Sequence, residues 1–205
     1  MILQISAENV KKLREETGAG IMACKQALQA SKGDINRATE QLRQKGLAIA
    51  SKKSNRVAIE GIIESYIHLG SKIGVLVELN CETDFVARRP EFRALAKNIA
   101  MQIAAASNVK YISVHDIPKE AIFKESEINK ESLADGKEVI KFQVIQEKKN
   151  KNLQETVLLE QPFIKNPSIT ISSLIKQHIA LLGENIRISR FTKFLLGETN
   201  SQVKS

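Results

Sequence analysis

The chain has 205 residues, 42% hydrophobic and 26% charged, the balance of a soluble globular protein with room for one medium domain and a small satellite. No apolar run approaches the ~20 residues of a bilayer span, and Glu8 follows too closely on Ile2 and Leu3 for a signal peptide. Work in the compartment of synthesis, without a membrane partner, is therefore expected. The net charge of +8 leaves an acidic partner open, but 4% aromatic content, no tryptophan and no Cys/His finger spacing are thin support for base stacking.

Residues 6 to 48 read as three short helices. Ser6 is an N-cap for a first helix with Val10 and Leu13 on one face, ended by Thr17-Gly18-Ala19-Gly20. A second helix starts at Ile21 and stops near Gly33, and Asp34 caps a third that carries Ile35, Ala38 and Leu42 on one stripe. So small a core suggests a docking unit, domain 1–50, tethered to something larger. Residues 51–56, Ser-Lys-Lys-Ser-Asn-Arg, read as a basic linker. Residues 1 to 56 hold eleven Lys/Arg against five Asp/Glu, a charge that either steers a partner or only solvates the module.

From Val57 the period turns to alternation. Ile59, Ile63 and Ile67 share one strand face, Ile73, Val75, Val77 and Leu79 share another, and Gly70-Ser71 suits a two-residue hairpin turn. The second strand leads into Asn80-Cys81-Glu82-Thr83-Asp84-Phe85-Val86, which sets an acid beside a large aromatic where a turn is normally polar. One reading has Phe85 in the core and Asp84 capping a helical turn; the other has both presented outward. Pro90 then opens a helix with Phe92, Leu95, Ile99 and Ile103 on one face. Tyr111 to Val114 is a strand candidate, residues 119–150 form a charged helical arm, and Val157 to Ile164 is an extended edge segment. A helix from about Thr170 to Leu182 and a strand from Glu184 to Leu196 close a core over 57–197, with 198–205 as a disordered tail. The sum is an α+β fold, a three-helix domain followed by antiparallel sheet with helices on one face.

Catalytic chemistry finds little footing. The ten glycines form neither Gly-x-Gly-x-x-Gly nor a Walker loop. His68, His115 and His178 are scattered, and Cys81 beside Glu82 has no histidine near it in sequence. Cys24 and Cys81, far apart and without Cys-x-x-Cys pairing, suggest buried reduced thiols, not a disulfide or a zinc site. No cofactor, metal or enzymatic activity is expected.

Thr17-Gly18-Ala19-Gly20-Ile21-Met22-Ala23-Cys24-Lys25-Gln26-Ala27-Leu28, then Ile73 through Val86, then Leu182-Gly183-Glu184-Asn185-Ile186 resemble, in order, the signatures of the elongation factor Ts family. The likeness covers about residues 3 to 197, and Ala87-Arg88-Arg89-Pro90-Glu91-Phe92 resembles its cyanobacterial and plastid branch. The resemblance implies a guanine-nucleotide exchange factor for elongation factor Tu, binding its GDP-bound and nucleotide-free forms without direct nucleic-acid contact. It implies that Thr83, Asp84, Phe85 and Val86 disturb the partner's Mg²⁺ and phosphate site. Residues 1–50 would be a ubiquitin-associated-like domain docking through Gly20, Ile21 and Met22, and His68 a secondary contact. Ile21, Ala23 and Ser189 depart from the family pattern at contact positions. The short form implies a homodimer, and the setting would be bacterial cytoplasm or chloroplast stroma. The alternatives are a basic RNA-associated translation accessory protein, distinguished by steep salt dependence, and an adaptor for ubiquitin-like domains.

Overall fold

The computed structural model describes residues 5–118 and 154–198. The expected helical arm over 119–150 lies outside the described residues, as does the expected tail from residue 199 on. The described residues divide between two compact units, one within Met1–Ile63, Glu78–Ala96 and Ser173–Ser189, the other within Glu64–Val77, Lys97–Ser172 and Arg190–Ser205.

The first unit opens with helices α1 (Ala7–Thr17), α2 (Ile21–Ala30) and α3 (Ile35–Lys53). Their starts follow from the caps: Ser6 Oγ accepts the Asn9 N–H and Asp34 Oδ1 accepts the Arg37 N–H, each at 3.1 Å. Gly18, at φ +66°, ends α1 in the left-handed conformation that glycine adopts without strain. Leu13, Cys24, Ala27, Leu28 and Ala38 are buried together, with Ile5, Val10, Ala19, Ile35 and Leu42 packed around them.

Residues 51–56 are not a linker throughout. Helix α3 runs to Lys53, Ala50 is buried, and the Asn185 side-chain amide donates to the Ser54 and Arg56 carbonyls at 3.2 and 2.7 Å. Ser-Lys-Lys has no apolar member, but lysines in a last turn complement the helix dipole, so polarity there marks an exposed helix end.

Strands β1 (Glu60–Ile67), β2 (Ile73–Cys81) and β5 (Arg187–Leu195) pair in the order β1-β2-β5 and contribute residues to both units. The His68 N–H bonds the Ile73 carbonyl, which makes β1 and β2 a hairpin. The loop is longer than a two-residue turn, because His68 and Ile73 close it, with Gly70 and Ser71 inside it at positive φ. The Leu196 N–H reaches the Lys72 carbonyl in the second unit and Ser189 Oγ donates to Asn80 Oδ1 in the first, so β5 runs antiparallel to β2. Val75, Val77, Leu79 and Cys81 are buried, whereas Ile63 and Ile67 on β1, and Ile59 just before it, are exposed.

After β2 come α4 (Asp84–Ala87) and α5 (Pro90–Ala105). The second unit also holds β3 (Pro162–Phe163), paired antiparallel with β4 (Asn166–Thr170). The Tyr111–Val114 strand reduces to one parallel bridge from Tyr111 to Val157, because Ser113 instead caps a short 3-10 turn at Val114–Asp116. The expected edge segment likewise begins with a 3-10 turn, Leu158–Glu160, before Pro162 starts β3. Helix α6 (Ile171–Leu182) leads through Gly183 toward β5.

Candidate functional site

The stretch from Cys81 to Val86 is a corner between β2 and α4. Thr83, not Asp84, is the N-cap: its backbone is extended and its Oγ1 accepts the Val86 N–H at 3.4 Å. Asp84 and Phe85 form the first turn and point outward, and Phe85 is 74% exposed. The core reading of Phe85 is therefore overturned. Val86 is only 4% exposed, so it seats the turn from beneath and does not reach outward with its neighbours. Asp84 Oδ2 accepts from Arg88 Nη2 at 2.7 Å across one helical turn, an exposed pair that orients the carboxylate more than it stabilises the fold.

Within the same unit, the corner is gripped from the far end of the chain. Glu184 Oε2 accepts the Glu82 and Thr83 N–H groups at 3.0 Å each, and Oε1 accepts the Thr83 hydroxyl at 2.6 Å. The grip is reciprocal, because Glu82 Oε1 accepts the Asn185 N–H at 2.7 Å and its Oε2 meets Arg56 Nη1 at 3.4 Å. The Asn185 N–H, chiefly, and then Arg56 hold the Glu82 carboxyl below its ordinary value. Lys53 Nζ donates to the Gly183 carbonyl, tying the end of α3 to this corner. The roles of Glu184, Asn185, Lys53 and Arg88 were not apparent in sequence; the only signal was the placement of Glu82-Thr83 and Glu184-Asn185 inside two distinctive motifs.

The first unit also carries Gly20, Ile21 and Met22. Gly20 caps α2 without a side chain, and a Cβ there would meet nothing within 4 Å, so the chain's own packing does not require glycine. Ile21 and Met22 are 56% and 66% exposed at the start of α2. The module is backed by α6: a Cβ on Gly18 would stand 2.9 Å from Leu181 Cδ1, and one on Gly46 3.1 Å from Ala180 Cβ. A cavity of about 280 Å³ remains there, lined in part by Ala19, Ala23, Leu42, Leu47, Ala180 and Leu181.

His68 lies in the second unit, exposed beside the hairpin loop, with Nδ1 3.2 Å from the Tyr66 hydroxyl. The docking and corner residues thus belong to one unit and His68 to the other. His178 is half-buried on α6, its Nδ1 2.9 Å from the Leu174 carbonyl, and burial lowers its pKa; it is a satisfied structural histidine. Cys81 is buried, and its thiol donates to the Thr83 carbonyl at 3.1 Å. Burial, with the Glu184 charge second, pushes that thiol up to about 11, the opposite of an activated nucleophile. Among the described residues, no three His, Cys, Asp or Glu side chains are grouped to hold a metal ion.

A family model described as elongation factor TS matches residues 3–198. The chain is 58% identical over 207 residues to "Elongation factor Ts, chloroplastic" of Pyropia yezoensis, covering 100% of this chain and 94% of that one. It is 58% identical over 200 residues to the protein of the same name in Guillardia theta, covering 97% and 91%. It is 56% identical over 198 residues to "Elongation factor Ts" of Synechococcus sp. (strain JA-2-3B'a(2-13)), covering 96% and 77%.

Proposed function

The chain belongs to the elongation factor Ts family, and from that premise we propose that it is the guanine-nucleotide exchange factor of elongation factor Tu, accelerating GDP release by insertion and not by covalent chemistry. The observation that carries this reading is the exposure of Phe85, a large apolar side chain held in water on a turn fixed by three hydrogen bonds to Glu184. Leaving so much apolar surface solvated gives up stability that burial would supply, which is understandable where the side chain has a partner to meet.

Asp84 and Phe85 press on the element of the partner that holds Mg²⁺ and the nucleotide phosphates. Mg²⁺ demands near-ideal oxygen geometry and links phosphate to protein, so displacing one coordinating element weakens both. Factor and nucleotide then bind antagonistically, each weakening the other by the same factor. Gly20, Ile21 and Met22 dock on the partner's G domain: the open space at Gly20 permits close backbone approach, and the two exposed side chains supply apolar contact. His68 is a secondary contact on another part of the partner. A homodimer is supported by the second unit, where Ile67, Leu69, Leu76, Phe194 and Leu196 are all exposed. The setting is bacterial cytoplasm or chloroplast stroma, according to host.

The test is release of fluorescent GDP from purified elongation factor Tu, with the Asp84→Ala/Phe85→Ala double variant as control. Fast release that the double variant loses is expected. No acceleration by a folded sample with its cognate partner would overturn the reading.

A further inference from the structure

Three hydrogen bonds converge on the Glu184 carboxylate from the two residues that lead into Asp84 and Phe85. Two backbone N–H groups reach Oε2, from Glu82 and Thr83, and the Thr83 hydroxyl reaches Oε1. An ionised acceptor with several donors makes short, strong bonds and fixes orientation as well as position. The same Thr83 oxygen caps α4 through Val86. Helix α4 has only four residues, far below the length at which a helix persists by itself. Its direction, and with it the direction of Phe85, is therefore inherited from Thr83.

The adjoining residue anchors Glu184 in turn. The Asn185 backbone N–H donates to Glu82, and its side-chain amide donates to two carbonyls just beyond the end of α3. Asn185 is itself buried, so this corner is a fixed point and not a mobile surface loop. Asn185 thus ties the residues just beyond α3 to Glu82 of the corner, and its neighbour Glu184 holds the turn that presents Phe85.

We propose that Glu184 is a positioning residue for nucleotide release: it contacts neither partner nor nucleotide, and it sets the angle at which Phe85 projects from a corner registered to the docking module through Asn185. This rests on the exchange reading above. Without an acceptor oxygen at this place, Phe85 is still present but no longer aimed. Docking through Ile21 and Met22 is unaffected, so the loss falls on the maximal release rate and not on the concentration of factor needed to reach it.

The experiment compares the full chain with Glu184→Ala, Glu184→Gln and Glu184→Asp, using amide hydrogen exchange in the isolated factor and GDP release from elongation factor Tu across factor concentrations. In Glu184→Ala the Glu82 and Thr83 amides are expected to exchange about tenfold faster or more, with the rest of β2 unchanged. Its maximal release rate is expected to fall about tenfold or more, as geometric misplacement of a reacting group does, while the half-saturating concentration stays near that of the parent. Glu184→Gln restores most of the rate, because its carbonyl oxygen still accepts both backbone N–H groups. Glu184→Asp keeps the charge but falls one methylene short, and gives an intermediate loss even if the alanine variant does not fold. Unchanged protection of the two amides, a parental maximal rate in a folded Glu184→Ala, or a parallel loss of rate and half-saturation would each overturn the proposal. If the parent itself fails to release GDP, the exchange reading falls alone, and the amide measurement still decides whether Glu184 sets the turn.

Discussion

Gly61 on β1 lies so close to Leu79 on β2 that a Cβ at Gly61 would stand 2.1 Å from the Leu79 carbonyl oxygen and 2.8 Å from the Asn80 Cα. Its φ of +152° also falls where residues with a side chain rarely go. Both obstacles are backbone, which cannot swing aside as a flexible side chain would. Gly61→Ala is therefore expected to destabilise the fold by about 2 to 4 kcal/mol. The urea midpoint should fall with the slope unchanged. A loss below about 1 kcal/mol would mean that the hairpin spreads easily and that its fit matters little.

Neighbouring residues on the corner should separate stability from function. Phe85→Ala removes an exposed side chain and is expected to alter folding stability by no more than about 0.5 kcal/mol while abolishing most of the GDP release. Val86→Ala removes a buried one and should cost about 1 to 3 kcal/mol, with release by the folded fraction largely kept. Thermal melts and release assays on both variants check the pair. The reverse pattern would mean that Phe85 packs inward in solution.

The contrast between Phe85 and Val86 also marks how far the sequence could be read. Helix starts at Ser6 and Asp34 and the stop at Gly18 were legible because a cap is a local contract between a side chain and backbone a few residues away. The two long strands of the hairpin were legible from alternation. The sidedness of Phe85 was not, because which way a short turn faces depends on what holds it, and here the holder, Glu184, lies 101 residues further on at Thr83. Lys53 and Asn185 were hidden likewise: a run without apolar residues looks like a linker until its lysine is found on a distant carbonyl and a distant amide on its own carbonyls. Long-range polar pairing leaves no periodic trace.

Cys81 should behave as a sealed thiol. It is buried, and its pKa is pushed from 9.0 up to about 11, mainly by burial. Iodoacetamide at neutral pH is expected to label it only as fast as the protein opens, with full labelling in denaturant. Because the folded value lies above the unfolded one, the neutral thiol's contribution to stability is complete below pH 9 and is lost as pH rises toward about 11. Cys81→Ala should flatten that alkaline decline, whatever it costs at neutral pH. Fast labelling of the native protein would overturn this account.

The acid side should be governed in part by Glu82. Its carboxyl is held below the ordinary 4.5 first by the Asn185 N–H and then by Arg56. A depressed folded pKa contributes stability that is complete above the unfolded value and is lost as pH falls through the folded one. The parent's stability should thus decline as pH drops below about 4.5, the unfolded carboxylate range. Glu82→Gln keeps an acceptor for the Asn185 N–H but has no charge to lose, so its stability should be lower than the parent's near neutrality and flatter through this window. Denaturant titrations at a series of acid pH values, paired with the amide exchange of Asn185, check both halves of the claim. If the two profiles ran parallel, the bond from Asn185 would not favour the ionised carboxylate. The reciprocal grip would then hang on Glu184 alone, and protonating Glu82 would leave the corner that presents Phe85 undisturbed.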